Sequence, residues 1–502
     1  MNPIVLAPVL VALSAGTAAL LAGRRAQGPI LVAGAAAHLA AGLGLLVRVL
    51  GDGVQAYHAG GWPAPLGIAL AADPFAAVLV LLTGLLGLAV ALQAALLPPG
   101  GQLRAGVPAL VFFLLAGVDA AFLTADLFHL YVAFEVLLMA SFALLVTGGG
   151  RERRAAAVRY LVPGVLSSML LLAGVGLTYG LTGTLFLPET AARFAELGPS
   201  PAVQATAAVL ALAFALKAGV FPVFAWLPAS YPAAPSVIVA LFSGLLTKVG
   251  VYALVRVFTL VLPQELTWLG PLLLAVAGAT MVVGVLGALA QWEMQRLLTY
   301  HVVSQVGYLL IGLGLGTPAA LASTVFYLFH NSVAKTGLLL ATGLVRCRRG
   351  TDRLRELGGL VRSEPLLSVL FFITALALAG LPPFSGFWAK LLVLQAAVDG
   401  RAWTIAAVAA GVGLFTLLSM TKIWTTAFWG AVPAAAAGGP DETARRSGAV
   451  RRLLELGPVA LLAAVAVALG LAAGPAIAVA ERAAEGLLDP TAYAHALQRE
   501  AP

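Results

Sequence analysis

The sequence predicts an all-α integral membrane protein of about fourteen transmembrane helices. Three observations carry that prediction. Of 502 residues, 61% are apolar and 10% are charged, with a mean hydropathy of +1.00; soluble domains run at roughly 45–50% apolar and about 25% charged. Apolar runs long enough to cross a bilayer recur from one end of the chain to the other. Arginines concentrate in alternate loops between those runs, the asymmetry that the positive-inside rule describes.

In chain order the runs fall near 4–22, 30–49, 70–97, 107–124, 126–146, 158–182, 203–226, 236–258, 267–290, 300–316, 318–345, 365–396, 402–430 and 455–480. No positive residue precedes the first run, unlike a cleavable signal peptide, so it reads as a span. One set of loops holds Arg24, Arg25, Arg104, Arg151, Arg153, Arg154, Arg159, Arg296, Arg346, Arg348, Arg349, Arg353, Arg355, Arg362, Arg445, Arg446, Arg451 and Arg452. The other holds Arg48, Arg193, Arg256, Arg401, Arg482 and Arg499. This asymmetry places both termini on the outer side and the Arg-rich loops in the cytoplasm. Topology thus accounts for the formal charge of +8; a nucleic-acid partner would need a basic face on a soluble module, which the sequence does not have. The single Cys347 excludes a disulfide framework or a cysteine cluster, and the six histidines lack ligand spacing, so no metal, haem or other cofactor is expected.

The lysines separate function from packing. Every loop cation is Arg, whereas Lys217, Lys248, Lys335, Lys390 and Lys422 all fall within predicted spans. A lysine near the bilayer centre costs on the order of 2.5–3.5 kcal/mol on insertion scales, so such residues mostly face a protein interior or a watery cavity. An amine can give up its proton near neutral pH where a guanidinium cannot, which suits lysine to a proton relay. The carboxylate central to a span is Glu135, in Asp126-Leu-Phe-His-Leu-Tyr-Val-Ala-Phe-Glu135. It is the first candidate for the acidic partner, and a static ion pair joining two helices is the competing reading. Asp73, Asp119 and Asp126 lie near span ends, where helix capping and an ion entrance compete; Asp73, just before Pro74, reads as a cap.

Two spans carry interruptions. Phe214-Ala-Leu-Lys217-Ala-Gly-Val-Phe-Pro222 places a proline five residues after a lysine, and Leu381-Pro382-Pro383-Phe-Ser-Gly386-Phe-Trp-Ala-Lys390 places a lysine just beyond a broken stretch. Proline frees a carbonyl, which in lipid must find side chains, water or a neighbouring helix. Paired breaks in two halves mark transporter repeats with sites inside the membrane, whereas either break alone reads as a packing kink. Between them lies Thr324-Val-Phe-Tyr327-Leu-Phe-His330-Asn331-Ser332-Val-Ala-Lys335, the most polar stretch inside any span. At helical spacing His330 shares a face with Tyr327 and Ser323, and Lys335 with Asn331. An imidazole can take and pass a proton, which suits His330 to a shuttle, although a lone histidine is more often a structural hydrogen-bonder. His301, near a predicted span end, is the weaker candidate, and His38, His58, His129 and His495 receive no role.

These stretches, with Leu245-Leu-Thr-Lys248-Val-Gly-Val-Tyr252 and Tyr300-His301-Val-Val-Ser304-Gln305-Val-Gly307-Tyr308, closely resemble the proton-translocating antiporter-like subunits shared by respiratory complex I and Mrp-type multisubunit sodium/proton antiporters. Within that family the chain is most similar to the D-type branch of the Mrp antiporters. The resemblance covers most of the chain. It implies two inverted five-helix repeats, near 107–258 and 267–430, each with one broken helix. Residues 1–106 would then be accessory helices, and 431–502 the last helix and a tail. By matched motif it also implies roles: Glu135 the acid paired with Lys217, Lys248 the next relay member, His330 and Lys335 the central axis, and Lys390 the terminal lysine. Lys422, His301, Asp126 and Tyr327 are weaker candidates.

The expected function is therefore proton translocation in a hetero-oligomeric cation/proton antiporter of the bacterial cell membrane, with other subunits as partners and protons as cargo; sodium passage through this chain stays open. A pump subunit of a complex I-type or membrane-hydrogenase redox enzyme, and a non-conducting scaffold, are the competing readings.

Overall fold

The computed structural model describes residues 2–62, 67–96, 106–432 and 449–499. Arg104, Arg445 and Arg446 lie outside them. Helix dominates: α1 (Ala7–Leu21), α2 (Arg24–Asp52), α3 (Pro74–Leu96), α4 (Val107–Leu123), α5 (Leu127–Val146), α6 (Arg151–Thr182), α7 (Leu187–Leu197), α8 (Pro201–Ala218), α9 (Trp226–Ser230), α10 (Ser236–Arg256), α11 (Leu266–Ala290), α12 (Met294–Leu315), α13 (Pro318–Arg349), α14 (Leu360–Ser363), α15 (Pro365–Ala379), α16 (Ser385–Asp399) and α17 (Trp403–Ile423). Helices Ala449–Leu454, Gly457–Leu471, Ala473–Leu488 and Thr491–Arg499 follow. Ten of these segments are long and apolar enough to cross a membrane alone, and Ala7–Leu21, Val107–Leu123 and Pro365–Ala379 are shorter apolar helices.

Local chemistry sets the boundaries. Asp73 caps α3 by accepting from Ala76 N at 2.9 Å, and Asp126 caps α5 by accepting from His129 N at 2.8 Å. Ser200 and Thr317 cap α8 and α13 in the same way, each ahead of a proline at the first helical position.

Several crossings differ from their expected form. The run at 70–97 begins as a strand: β1 (Gln55–His58) pairs antiparallel with β2 (Ala69–Ala72), Gln55 opposite Ala72. The run at 203–226 stops as a helix at Ala218, where Gly219 takes a φ of +73° that a side chain disfavours. The run at 365–396 is two helices, α15 ending before Gly380 at φ +90° and α16 starting at Ser385. The run at 455–480 is also two, Gly457–Leu471 and Ala473–Leu488, meeting at a non-helical Ala472. Gly470 lies against the backbone of Phe384, so this third break packs on the second. Arg256 is not a loop residue at all: it is the last residue of α10 and 3% exposed.

Helices α4, α5, α6, α8 and α10 form one five-helix repeat, and α11, α12, α13, α15 with α16, and α17 form the other. Five crossings separate the start of α4 from the start of α11, so equivalent helices run in opposite directions. The broken helix is fourth in each set. At the centre the helices are buried all round: the most apolar window of α10 is fully buried and that of α3 is 83% buried, against 33% for the peripheral α6. Helix α13 packs against α10, α12, α15, α16 and both Gly457–Leu471 and Ala473–Leu488. Its polar stretch is tolerated because Thr324, Tyr327, His330, Asn331, Ser332 and Lys335 are all buried within the protein.

Candidate functional site

The predicted residues come together along the buried centre. Glu135 on α5 faces Lys217, which stands in the last turn of α8, where the free carbonyls of a helix end attract a cation. The Lys217 amine donates to Ser168 Oγ at 3.1 Å and Gly164 O at 3.4 Å, both on α6, and lies 5.3 Å from the centre of the Phe134 ring. Glu135 interacts with it electrostatically but makes no direct hydrogen bond to it, and Glu135 Oε1 is buried without a partner.

Helix α10 then brings Lys248 close. A Cβ at Gly250 would sit 2.6 Å from Ala218 N and 2.9 Å from the Lys217 carbonyl carbon, so only glycine lets α10 lie this near the end of α8. Lys248 is 0% exposed and donates to Ser243 O within its own helix. Its charge reaches Lys335 on α13. Lys335 is 1% exposed and its Nζ has no hydrogen-bond partner; the polar atoms of Asn331 and Ser332 one turn before it on α13, and of Ser243 and Thr247 near Lys248 on α10, are likewise unpartnered.

His301 and His330 continue the row. Helix α12 starts at Met294, six residues before the expected 300, so His301 lies two turns inside the helix and not near its end. Its Nε2 meets Ser419 Oγ at 2.6 Å, and it feels both Lys335 and Lys390. His330 Nδ1 meets Ser385 Oγ at 2.7 Å, which leaves Nε2 unpartnered. The Tyr327 ring stands edge-on to His330 with centroids 5.8 Å apart, stacks on Tyr308 at 5.2 Å and donates its hydroxyl to Gln305 Oε1 at 2.5 Å. Lys390 donates to Ala379 O at 2.6 Å, at the end of α15, with its amine 5.7 Å from the Tyr308 ring centre. Both lysines thus sit beside a helix break, but from opposite sides: Lys217 in the last turn before its break, Lys390 in the second turn after its break, reaching back to the end of α15.

The remaining candidates separate from this row. Lys422 is half-buried at the Arg-rich end, donating to Leu289 O and Gln291 O and lying 4.0 Å from the Trp292 ring centre. Asp126 serves as the cap of α5. Pro222 and the Pro382–Pro383 pair lie in the breaks, with the Phe221–Pro222 and Pro382–Pro383 peptide bonds cis, and Gly386 packs against Ala377 O and the His330 ring. Sequence reasoning gave no role to Ser168, Gln305, Tyr308, Ser385 and Ser419, which contact the candidates. The available signal was polar residues recurring inside apolar spans. Sequence reasoning left Asp119 between a helix cap and an ion entrance and gave His38 no role; the structure sets Asp119 against His38 Nε2 at 2.5 Å with both side chains fully buried.

Residues 124–416 match the family described as NADH:quinone oxidoreductase/Mrp antiporter, TM. The chain belongs to that family. It is 39% identical over 502 residues, the full length of both chains, to the D subunit of the Na(+)/H(+) antiporter of Alkalihalophilus pseudofirmus. Its structure resembles a chain of the Mrp complex from Dietzia sp. DQ12-45-1b with a TM-score of 0.90 and 34% identity, covering 99% of each. It also resembles a chain of respiratory complex I from Thermus thermophilus, with a TM-score of 0.83 and 26% identity, covering 97% of this chain and 99% of that one. The matched segment runs from the end of α4 into α17, so this member of the NADH:quinone oxidoreductase/Mrp antiporter family carries every relay candidate but Lys422 within the family region.

Proposed function

We propose that this chain is the proton-conducting subunit of a multisubunit sodium/proton antiporter in the bacterial cell membrane, with both termini outside. Protons move along Glu135, Lys217, Lys248, Lys335, His330 and Lys390. The repeats occupy 107–258 and 259–430, with 1–106 as accessory helices and 431–502 as the closing segment. The observation that carries this reading is the set of buried amines and imidazoles, Lys248, Lys335, Lys390, His301 and His330, accompanied by buried polar atoms that the protein leaves unpartnered. Buried polar atoms in proteins are almost always satisfied, and those without a protein partner belong to water. Helix fasteners would be expected to satisfy one another; these groups instead are set to line a hydrated path.

The ion pair is the switch. With Glu135 drawn against Lys217 the ammonium is held; with the pair apart, as found here, the amine keeps only the neutral acceptors Ser168 and Gly164 and its proton is free to move towards Lys248. One elementary charge crossing 100 mV is worth about 2.3 kcal/mol, a scale that such switching can couple to. Sodium-dependent proton flux in vesicles holding the assembled complex tests this. Glu135→Gln and Lys217→Ala are each expected to abolish exchange; wild-type rates in both would end the proposal. A redox-driven pump subunit would do the same chemistry from another energy source, and flux that needs a respiratory donor would favour it.

A further inference from the structure

We propose that His38 and Asp119 form a second buried proton-binding site, a side branch that couples the N-terminal helices to the relay at Lys248. The inference rests on the relay reading and extends it beyond both repeats. His38 lies midway along α2 and Asp119 in the last third of α4, and both are 0% exposed. An ionisable residue in the membrane interior is retained for a reason, and a buried ion pair is weak evidence for stability. A fastener would use up its hydrogen-bonding groups. This pair does not: beyond the single 2.5 Å contact, His38 Nδ1 and Asp119 Oδ1 are both buried without a partner. The Thr83 hydroxyl of α3 lies within hydrogen-bonding reach of Asp119 as well as donating to Leu79 O at 2.9 Å. A dyad with two open atoms is arranged to take and pass a proton.

Register ties it to the relay. Helices α4 and α10 are four crossings apart and so run in the same direction, and they pack against each other. Tyr252 of α10 donates to Phe122 O of α4 at 2.5 Å. One turn back from that bond on α10 is Lys248, and about one turn back on α4 is Asp119, which puts the two at the same depth. The screen between them is α3, where Leu86, one turn from Thr83, touches Gly244, one turn from Lys248. Among the described residues, the ionisable groups on the elements around the dyad are few: α1 and α3 carry none, α4 carries none besides Asp119, α2 carries Arg24, Arg25, Arg48 and Asp52 towards its ends, α5 offers His129, Tyr131 and Glu135, α10 offers Lys248, Tyr252 and Arg256, and β1 offers Tyr57 and His58. Loading the dyad with one proton makes it a neutral His38-H⁺/Asp119⁻ pair; unloading leaves one negative charge, which a protonated Lys248 at the same depth compensates. The dyad and Lys248 would therefore exchange occupancy in opposite phase.

Two measurements on the assembled complex decide it. Difference infrared spectra across pH are expected to show a carboxylate band, perturbed as the hydrogen-bonded imidazole gains and loses its proton, that Asp119→Asn removes and Asp119→Glu shifts. Sodium-dependent proton flux in proteoliposomes is expected to fall about tenfold or more in Asp119→Asn and in His38→Gln, with a changed pH profile. Asp119→Glu is expected to keep most of the rate, and Lys248→Met combined with Asp119→Asn to be no slower than Lys248→Met alone. If Asp119→Asn does not assemble, the Glu variant decides through its band and its pH profile. A spectrum unaffected by either variant overturns the proposal. So does an Asp119→Asn complex with wild-type rate and pH profile beside an inactive Lys248→Met, and in that case the relay stands. Wild-type flux in Lys248→Met instead overturns the relay reading itself and, with it, the coupling.

Discussion

Arg256 at the end of α10 donates to both carboxylate oxygens of Asp73, each at 2.7 Å, and the two side chains are 4% and 3% exposed. The carboxylate that caps α3 thereby also anchors the first repeat to the accessory helices. Rings of Phe75, Tyr252 and Tyr493 surround the guanidinium with centres 5.7, 5.4 and 5.1 Å away, so the last helix of the chain closes the cluster. Asp73→Asn strands a buried cation and is expected to destabilise the subunit by about 3–5 kcal/mol. Replacing both partners with apolar residues of similar size is expected to recover most of that. Thermal melting of the purified complex, read by the fraction that stays assembled, checks both.

Lys335 offers the opposite signature. Its amine has no hydrogen bond to lose, so Lys335→Met is expected to leave stability unchanged or raise it while exchange drops by about 100-fold or more. Lys335→Arg is expected to fail as well, because a guanidinium stays charged. A melting curve and a flux assay on the same preparations separate the two effects. Stability and rate falling together in Lys335→Met would identify a fastener.

Ser385 orients His330 through Nδ1 at 2.7 Å and leaves Nε2 free. Ser385→Ala is expected to remove about 0.5–1.5 kcal/mol, a few-fold in exchange rate. His330→Gln, which removes the proton carrier, is expected to cost about 100-fold. Equal effects of the two would assign His330 a purely structural role.

Gly250 sets the distance between two relay lysines. Because the neighbour a Cβ would meet is backbone, Ala218 N at 2.6 Å, no rotamer change relieves the clash. Gly250→Val is expected to destabilise by about 1–3 kcal/mol and to slow exchange by moving Lys248 away from Lys217. Exchange at wild-type rate in the assembled variant would show that this spacing does not matter.

Much of the candidate site was legible in the sequence because lipid makes ionisable residues conspicuous: with all loop cations Arg, five lysines inside apolar runs point to the interior. Asp119 was not legible, since a carboxylate near a span end reads equally as a cap, and its partner His38 is 81 residues away in sequence. Arg256 was misplaced for a similar reason, as a cation two residues from an expected span end reads as a loop charge until Asp73 is seen against it. The strand Ala69–Ala72 hid inside an apolar run because hydropathy alone does not distinguish strand from helix over four residues.

The sequence alone determined the solvent, the number of crossings and the chemistry stored inside them, because the free energy of placing each residue type in hydrocarbon is a local property of the chain. Tertiary structure decided which buried groups meet. The close approach at Gly250, the packing of Gly470 on Phe384 and the pairing of His38 with Asp119 depend on how helices distant in sequence pack, and hydrogen bonds and charges across such contacts act over a few ångströms that no run of residues encodes by itself.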